Sequence, residues 1–399
     1  MSRVENVLII GSPANYTDVD DVMLKEYGIT PFYIYIEDSE LRSSNKNNKL
    51  FISMLTEEVI REVVVAYKLD SIVCFNDLFL LKVAKIRQEL NLKGIHFEQM
   101  KKFKKKSIMY NSLKKYVQVI PHVFLSENTT FENMLPSLGL PPYFAKPDDS
   151  AGSEGAVKID NENEYIKFLD RWKSDSRKYI IQPFIEADLY HCELVVKDNV
   201  IIYKDARKYS YPNYNILSGK VIASFPIVDN SLKELIVNQA CLVQEKLGFS
   251  NGLMHTEFFV VDENNIKFLE TNIRQAGGAI NQIHYKKLGI SLETLMILLE
   301  CEKEINITPS SKKIFSCGYI PRKKGKVIGF NFPKFKGIVE FQKKIKIGDI
   351  CDAPKSASDA ALAFVGEYEL LSELQDDFKM IESYELVTYS ENKDKSMRS

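Results

Sequence analysis

Two acidic side chains past the middle of the chain constrain its fold more than any other feature. Glu257 and Glu270 lie in two β-rich runs that flank the polar, turn-forming segment 262–265, a pattern that predicts a β-hairpin. If Val261 pairs with Ile266 across that turn, the two glutamates lie directly opposite each other on one face of the hairpin. The sequence therefore predicts two negative charges side by side.

Facing carboxylates on neighbouring strands repel each other because their Cβ atoms are only about 5 Å apart. A sheet tolerates such a pair when a hard cation lies between the two groups. Asn272, two residues after Glu270, points to the same face. Carboxylate and amide oxygens are the ligands that Mg²⁺ takes when it also carries phosphates. We therefore expect Glu257, Glu270 and Asn272 to bind Mg²⁺ or Mn²⁺; the alternative is a solvated acidic face.

The segment that follows the hairpin favours the metal site over that alternative. Arg274 supplies a cation, and Gly277 and Gly278 can expose backbone N–H groups. An anionic substrate bound next to the metal would require both kinds of group.

These residues resemble a known family. Glu257, the run from Glu270 to Arg274 and the trailing glycines resemble the metal-binding signature of the ATP-grasp carboxylate–amine ligases. That family usually has proline where Ile273 stands, and this difference removes a φ constraint but no ligand. The resemblance implies an ATP-grasp fold, of mixed α+β and α/β class, with ATP and Mg²⁺ as cofactors. It also implies two phosphate-binding lysines, a glycine loop and an adenine hinge elsewhere in the chain.

The composition is that of an ordinary globular protein of 399 residues, 45% hydrophobic and 27% charged. A net charge of −1 gives no reason to expect nucleic acid or a membrane surface as a partner. The longest apolar runs fall short of the roughly 18 residues that a membrane span needs, and residues 1–10 lack a signal-peptide core. The six cysteines are scattered without a C-x-x-C motif, so we expect a cytoplasmic protein without disulfides or a zinc site.

The first 100 residues are expected to form a separate domain. Strands alternate there with amphipathic helices, the strands at residues 4–10, 31–36 and 71–75 and the helices from Thr56 and at residues 78–90. This order implies an open α/β sheet. The layout is similar to the small domain that precedes ATP-grasp domains, and we place it at residues 1–100.

The remaining chain is expected to form the ATP-grasp lobes and a C-terminal lobe. The resemblance places the ATP-grasp lobes at residues 101–302, with the small lobe at about 120–185 and the large lobe at 186–302. From about residue 303 the pattern changes to short strands and turns, followed by a helix that starts at a capping box on Ser372. Residues 303–399 resemble the α+β lobe that completes the active site of ligases acting on amino acids.

Two lysines are candidates for the phosphate contacts. Lys106 ends a basic run and begins a predicted helix, at the place where the resemblance puts the first ATP-contacting lysine. Lys105 and Lys104 are register alternatives. Lys146 lies at the end of the strand predicted at residues 143–147 and would be the second lysine, a fixed positive charge for the α- and β-phosphates.

The loop that follows Lys146 is a candidate lid. Residues 148–155 are rich in glycine and serine, and such a loop can fold its backbone N–H groups over phosphates. The resemblance implies ATP contacts at Gly152, Ser153 and Gly155. The closed loop would also exclude water from a reactive intermediate.

Residues 179–185 resemble the hinge between two lobes, where main-chain groups read adenine. We expect ATP contacts at Gln182, Phe184 and Ile185, although many relatives have an acid where Gln182 stands. Asp188 or His191 could hold the ribose, and a surface role is the alternative for each.

The polar segment 205–218 is predicted to be a loop that faces the cleft. Arg207 or Lys208 could meet a substrate carboxylate there, and a surface salt bridge is the alternative for both.

The resemblance implies an ATP-dependent, ADP-forming ligase that activates a carboxylate as an acyl phosphate and joins it to an amine. Lys106 and Lys146 would hold the phosphates, while Arg274, Gly277 and Gly278 would stabilise the reacting anion. An L-amino acid or dipeptide ligase is the leading hypothesis. The rival hypotheses are a ligase that loads an amino acid onto a carrier protein or pathway intermediate, a kinase, and a nucleotide-binding protein without chemistry. The expected partners are small-molecule substrates. Many relatives form dimers, which is consistent with a homodimer here.

Overall fold

The computed structural model describes residues 4–36, 46–150, 152, 154–277, 279–356 and 359–390. Two predicted site residues, Ser153 and Gly278, lie outside the described residues. Within the described ranges, no helix is both long enough and apolar enough to cross a membrane.

The N-terminal segment forms a parallel sheet flanked by helices, as its alternating pattern predicts. Its elements are β1 (Glu5–Ile10), α1 (Pro13–Thr17), α2 (Asp21–Glu26), β2 (Ile29–Ile36), β3 (Lys49–Ile52), α3 (Glu57–Ala66), β4 (Ser71–Cys74), α4 (Leu80–Glu89), α5 (Phe97–Lys104) and α6 (Lys106–Leu113). The strand order is β3-β2-β1-β4, with parallel pairing throughout. Residues 7–10 of β1 and all of β4 are buried because helices cover both faces of such a sheet. Thr56 caps α3 by accepting a hydrogen bond from the Val59 N–H.

The next segment forms a small antiparallel sheet with two helices. Its elements are β5 (Gln118–Val119), β6 (Val123–Phe124), α7 (Leu135–Leu138), β7 (Tyr143–Pro147), β8 (Val157–Ile159), α8 (Glu162–Trp172) and β9 (Tyr179–Pro183). The sheet has the order β6-β9-β7-β8, whereas β5 joins the larger sheet described below. The strand predicted at residues 143–147 is confirmed as β7, so Lys146 stands near the end of a rigid strand.

The segment that follows supplies most of the large sheet. Its elements are β10 (Asp188–Lys197), β11 (Val200–Tyr209), β12 (Ile222–Pro226), α9 (Asn230–Leu247), β13 (Gly252–Asp262), β14 (Asn265–Asn272), α10 (Ile280–Leu288) and α11 (Leu292–Glu300). The prediction of a loop from residue 205 is wrong, because β11 continues through Tyr209. Its side chains Asp205 and Arg207 are buried, and Arg207 Nη1 lies 3.8 Å from Asp205 Oδ2.

The C-terminal segment extends the same sheet. Its elements are β15 (Ile314–Pro321), β16 (Gly325–Phe330), β17 (Ile338–Lys343), β18 (Ile350–Cys351), β19 (Ala360–Tyr368), α12 (Leu371–Ser383) and β20 (Val387–Ser390). The large sheet has nine strands in the order β17-β19-β15-β12-β11-β10-β13-β14-β5, and β18-β16-β20 form a small separate sheet. The predicted boundary at residue 303 is therefore bridged by the pairing of β12 with β15.

The capping box predicted for the last helix is displaced. The helix begins at Leu371, and Ser372 lies inside its first turn. Glu373 accepts hydrogen bonds from the backbone N–H groups of Glu369 at 3.2 Å and Leu370 at 3.1 Å. Glu373 is thus the capping acid, while an apolar residue takes the N-cap position.

Helix α11 joins the N-terminal sheet to the large sheet. Residues 292–299 of this helix are all buried, and its apolar side chains share one core with β1, β2 and β13. The second cavity described below lies at this junction, because residues of the N-terminal segment and Glu293 of α11 both line it.

Candidate active site

The hairpin of β13 and β14 places the two predicted carboxylates opposite each other. Glu257 pairs with Glu270, as predicted. The predicted turn pairing is wrong, because Val260 rather than Val261 faces Ile266. The register shifts twice, by one residue in each strand, and the two shifts cancel between the turn and the glutamates.

Both carboxylates and the Asn272 amide line one cavity. Asn272 Nδ2 donates to Glu270 Oε1 at 3.3 Å, and Asn213 Nδ2 donates to Glu257 Oε1 at 3.0 Å. Burial alone would raise the pKa of Glu270, but the two nearby lysines described next outweigh it and hold that pKa below its ordinary value. The arrangement offers ionised carboxylate and amide oxygens to a hard cation.

Lys106 begins α6 and lines the same cavity. Its Nζ donates to the Ser150 carbonyl oxygen at 2.6 Å and lies 3.5 Å from Glu270 Oε2. The lysine therefore joins the candidate metal ligands to the loop after β7.

The two register alternatives to Lys106 take other places. Lys104 Nζ lies 3.6 Å from Asp77 Oδ1, and Lys105 occupies the junction between α5 and α6. Neither is among the described residues that line the cavity. Among these three lysines, Lys106 alone lines the cavity.

Lys146 is buried in the cavity wall. Its Nζ donates to Tyr110 Oη at 3.2 Å, and no carboxylate of a described residue lies within 4.0 Å of it. Burial, reinforced by the positive charge of Lys106, lowers the pKa of Lys146 to about 7. A buried ammonium group without an anion is costly, so this position favours an anionic ligand.

Arg274 reaches the cavity from the segment after β14, and the N-terminal unit holds it there. Its Nε and Nη2 each lie 2.5 Å from Asp77 Oδ2, and Nη1 donates to the Gln275 carbonyl oxygen at 2.6 Å. Burial alone would raise the pKa of Asp77, but Arg274 and Lys104 outweigh it and lower that pKa. Sequence reasoning missed Asp77. Its signal was its place just after a buried parallel strand, where open α/β sheets bind ligands.

The cavity has a volume of about 520 Å³, within the range of small-molecule sites. The predicted hinge residues Gln182, Phe184 and Ile185 all line it, as do Gly152 and Gly277. Gln182 Oε1 is buried and has no hydrogen-bond partner among the described residues. The structure thus brings the predicted hinge, lysines and metal ligands into one cavity.

Gly155 does not line the cavity but has a conformational requirement. Its φ is +74°, and a Cβ there would lie 2.9 Å from both Arg177 Nη2 and Tyr179 Oη. Glycine is needed because the backbone turns sharply in a crowded place.

The two ribose candidates lie away from the cavity lining. Asp188 is exposed, and its Oδ2 accepts a hydrogen bond from Lys208 Nζ at 2.5 Å. His191 is 0% exposed, with Nδ1 2.9 Å from Glu193 Oε1 and Nε2 2.9 Å from Ser224 Oγ. A ribose contact by His191 does not fit this position, because both ring nitrogens are already bonded beneath the sheet surface.

A substrate contact by Arg207 is also contradicted. Its side chain is 1% exposed and donates to Ser224 Oγ at 2.8 Å, to the Ser224 carbonyl oxygen and to the Phe315 carbonyl oxygen at 2.6 Å. The guanidinium group joins strands β11, β12 and β15, so its role is structural.

Sequence reasoning missed a cluster of buried side chains that lies next to Glu257. Glu193 Oε1 lies 2.5 Å from His255 Nδ1 and 2.9 Å from His191 Nδ1, and His255 Nε2 lies 3.3 Å from Glu257 Oε1. Three of these side chains, His191, Glu193 and His255, are close enough to share a metal ion. However, Glu193 and Glu257 together outweigh burial, the largest influence, and raise the pKa of His255 to about 10. A protonated imidazole donates from both nitrogens and binds no metal, so we interpret the cluster as a hydrogen-bonded support.

Comparison with protein families and curated proteins gives a consistent picture. Residues 103–278 match the family model described as an ATP-grasp domain. The chain is 24% identical over 233 residues to an L-arginine-specific L-amino acid ligase of Bacillus subtilis, covering 54% of this chain and 55% of that relative. It is 28% identical over 184 residues to a D-alanine–D-alanine ligase of Staphylococcus carnosus, covering 43% and 51%. The chain thus spans about half the length of these curated relatives.

Solved structures resemble the chain over nearly its whole length. An L-amino acid ligase from Bacillus licheniformis superposes with a TM-score of 0.76 at 15% identity, covering 98% of this chain and 99% of that one. A phosphoribosylglycinamide synthetase from Anaerococcus prevotii gives a TM-score of 0.67 at 17% identity, covering 97% and 99%. At these identities the likeness concerns the fold.

Proposed function

We propose, from the premise that this chain has the ATP-grasp fold and that residues 103–278 form its ATP-grasp domain, that it is an ATP-dependent ligase. The enzyme would activate the carboxylate of an amino acid as an acyl phosphate and join it to an amine, with release of ADP and phosphate. One observation carries this proposal: the facing pair Glu257 and Glu270 shares a cavity with Lys106, Lys146 and Arg274.

The residues of the cavity fit Mg²⁺ and the phosphates of ATP. Glu257, Glu270 and Asn272 present the oxygen ligands that Mg²⁺ prefers when it also binds phosphates. Lys146 is buried without a carboxylate within 4.0 Å among the described residues, so a phosphate oxygen would complete its surroundings. Gln182 Oε1 offers a buried acceptor to the adenine amino group.

In the first step, a carboxylate oxygen of the substrate forms a bond to the γ-phosphorus, and the bond to the bridging oxygen of ADP breaks. Bound Mg²⁺ would neutralise charge on the β- and γ-phosphates. Lys106 and Lys146 hold the phosphates in line with the carboxylate. The main contribution of the protein to this step is position, because the reaction needs little covalent participation from side chains.

In the second step, the amine nitrogen forms a bond to the acyl carbon, the bond from that carbon to the phosphate oxygen breaks, and the proton lost by the nitrogen passes to the leaving phosphate. Arg274, held by Asp77, stabilises the negative charge that develops on the carbonyl oxygen and the leaving phosphate. The Gly277 backbone contributes to the same anion. The loop that contains Gly152 excludes water, which would otherwise hydrolyse the acyl phosphate.

We propose amino acids as substrates because the relatives above are ligases named for amino acids. The cavity wall on the side of the C-terminal strands includes Ile222, Cys317 and Tyr319. Such a wall favours at least one substrate with an apolar side chain.

A matrix of amino-acid pairs incubated with ATP and Mg²⁺ tests the proposal, scored by ADP, free phosphate and product mass. We expect phosphate and a condensed product to appear together for a subset of pairs, and neither from the Glu270→Gln variant. ADP release without free phosphate would indicate a kinase. The absence of ADP release with every pair would contradict a ligase.

A further inference from the structure

A second cavity, here called the acidic cavity, lies between the N-terminal unit and helices α10 and α11. It has a volume of about 470 Å³ and is lined by residues 17–21, Met23 and parts of both helices. Four of its described lining residues are acidic and none is lysine or arginine; the acidic residues are Asp18, Asp20, Asp21 and Glu293. The charged groups of the described lining are therefore all negative, while Lys46 and Lys344 lie outside the lining and partly offset the effect of burial, which raises the pKa of Asp18.

Two buried acceptors in this cavity have no donor. Glu293 is 1% exposed and Asn281 is 8% exposed. Glu293 Oε1 accepts hydrogen bonds from Asn15 Nδ2 at 3.2 Å and Asn281 Nδ2 at 3.0 Å. Glu293 Oε2 and Asn281 Oδ1, by contrast, have no hydrogen-bond partner among the described residues. Buried acceptors without donors are costly and rare, so a ligand that brings N–H groups would relieve them.

The other acidic side chains of the cavity do not all need a ligand. Asp20 Oδ1 caps α2 by accepting hydrogen bonds from two backbone N–H groups, and Asp21 Oδ1 lies 3.1 Å from Lys46 Nζ. Asp18 and Glu293 have no ion pair within 4.0 Å among the described residues, although the charges of Lys344 and Lys46 act on Asp18. Burial, with a smaller contribution from the charge of Asp18, raises the pKa of Glu293 to about 7. A bound cation would reverse this shift because it favours the ionised carboxylate.

We propose that the acidic cavity binds a small organic cation through an ammonium or guanidinium group that donates to Glu293 Oε2 and Asn281 Oδ1, with Asp18 as a second negative charge. The volume suits a ligand the size of an amino acid. A bare Mg²⁺ or Ca²⁺ fits less well, because these ions take six or more oxygen ligands and the described lining offers only two buried acceptors without a donor. The inference does not rest on the proposed ligase activity, since binding is measured directly.

One helix, α10, contributes residues to both the acidic cavity and the candidate active site. Helix α10 begins at Ile280, which lines the first cavity, and its next residue, Asn281, lines the acidic cavity. A ligand bound to Asn281 thus contacts the first turn of α10, the helix that follows Gly277 in the chain. The cation could be the amine substrate or an effector that is not consumed, and the experiment separates these sources.

Isothermal titration calorimetry on the full chain, without nucleotide, tests the charge requirement. The probes are agmatine, L-arginine and L-citrulline, whose urea group replaces the guanidinium with nearly the same shape. We expect agmatine and arginine to bind and citrulline to bind at least about tenfold more weakly, as expected for a charge-assisted hydrogen bond. Equal binding of all three, or no binding of agmatine and arginine, overturns the proposal.

Variants locate the bound cation. Glu293→Gln keeps the shape of the side chain and should weaken agmatine binding by about tenfold to a hundredfold. Asp18→Asn, at an exposed position, should weaken it less and provides the test if Glu293→Gln fails to fold. Glu302→Gln is the charge-matched control, because Glu302 is exposed, pairs with Lys93 and lies outside the cavity lining. Undiminished binding to a folded Glu293→Gln or Asp18→Asn variant places the cation elsewhere and overturns the proposal.

Turnover with ATP then identifies the source of the cation. Incorporation of the amine into product shows that it also reaches the first cavity as a substrate, and a changed rate without incorporation identifies an effector; both support the site once the variants have located the cation there. Specific binding without ADP release for any amino-acid pair would contradict the proposed ligase while supporting this inference.

Discussion

The guanidinium group of Arg274 is held by a carboxylate 197 residues earlier in the chain: Nε and Nη2 each lie 2.5 Å from Asp77 Oδ2. The pair connects the segment after β14 to the loop after β4. The N-terminal unit thereby fixes a cation in the wall of the candidate active site. In the proposed mechanism, this pair sets the position of the group that stabilises the acyl phosphate.

The first prediction concerns that pair. Asp77→Asn should lower kcat by about tenfold to a hundredfold, as loss of a supporting contact does, with a smaller change in KM for ATP. The reason is that Arg274 loses the carboxylate that holds it, whereas Lys106 and Lys146 keep their hydrogen-bond partners. Steady-state ADP release measures both constants. Asp170→Asn, at an exposed position of α8 paired with Lys173, is the control; an unchanged kcat in a folded Asp77→Asn variant would argue against an anchoring role.

The second prediction concerns the candidate metal ligands. Glu270→Gln should reduce ATP turnover by at least about a hundredfold, because it removes one of two facing carboxylates without changing the shape of the side chain. Far-ultraviolet circular dichroism should show an unchanged fold. Glu263→Gln, in the exposed turn of the same hairpin, should retain full activity. Normal ADP release by Glu270→Gln would remove the proposed metal site.

The third prediction concerns Lys146 and pH. Its pKa in the free protein is about 7, and a bound phosphate would raise it, so nucleotide binding takes up a proton above that pH. Nucleotide affinity should therefore be insensitive to this group below about pH 7 and fall as the pH rises above it, by up to about tenfold per pH unit. Calorimetric titration with ADP across this range measures the effect.

The matched variant for that measurement is Lys146→Met, which keeps the apolar stem of the side chain but removes the charge. It should bind ADP more weakly than the wild type below pH 7 and lose this component of the pH dependence above it. Retention of the same pH profile by Lys146→Met would assign the titration to another group.

The fourth prediction concerns the buried support behind Glu257. Glu193→Gln should lower the free energy of unfolding by about 3 kcal/mol, because it leaves the protonated His255 without its nearest anion. Urea unfolding followed by circular dichroism measures the change. Glu245→Gln, on the exposed face of α9, should change it by less than about 0.5 kcal/mol. A loss as small as that of the control would mean that the cluster contributes little to stability.

Sequence patterning predicted the elements that carry the candidate site, because strand alternation and turn residues are local properties. The hairpin, β7 and the strand–loop–strand around Gly152 were all expected from such signals. The facing of Glu257 and Glu270 was also expected. The turn pairing used to predict it was wrong, because Val260 rather than Val261 faces Ile266. The two compensating bulges in the hairpin have no sequence signal strong enough to read.

Polar residues with buried structural roles were harder to interpret. Arg207 and His191 were expected near substrate and ribose, but the structure satisfies both inside the sheet through Ser224. A buried, hydrogen-bonded polar side chain and a functional one have the same residue type. Which of the two applies depends on what packs against it, and that partner is distant in the chain.

The sequence by itself determined the period of each element, the residue types that can bind a cation and phosphates, and the resemblance to the ATP-grasp family. Only the tertiary structure decided which distant groups meet: Asp77 with Arg274, Glu193 with His255, and Glu293 with the walls of the acidic cavity. The physical reason is that strand and helix periodicity follow from neighbouring residues, whereas ion pairs and buried hydrogen bonds are decided by how sheets and helices pack across the whole chain.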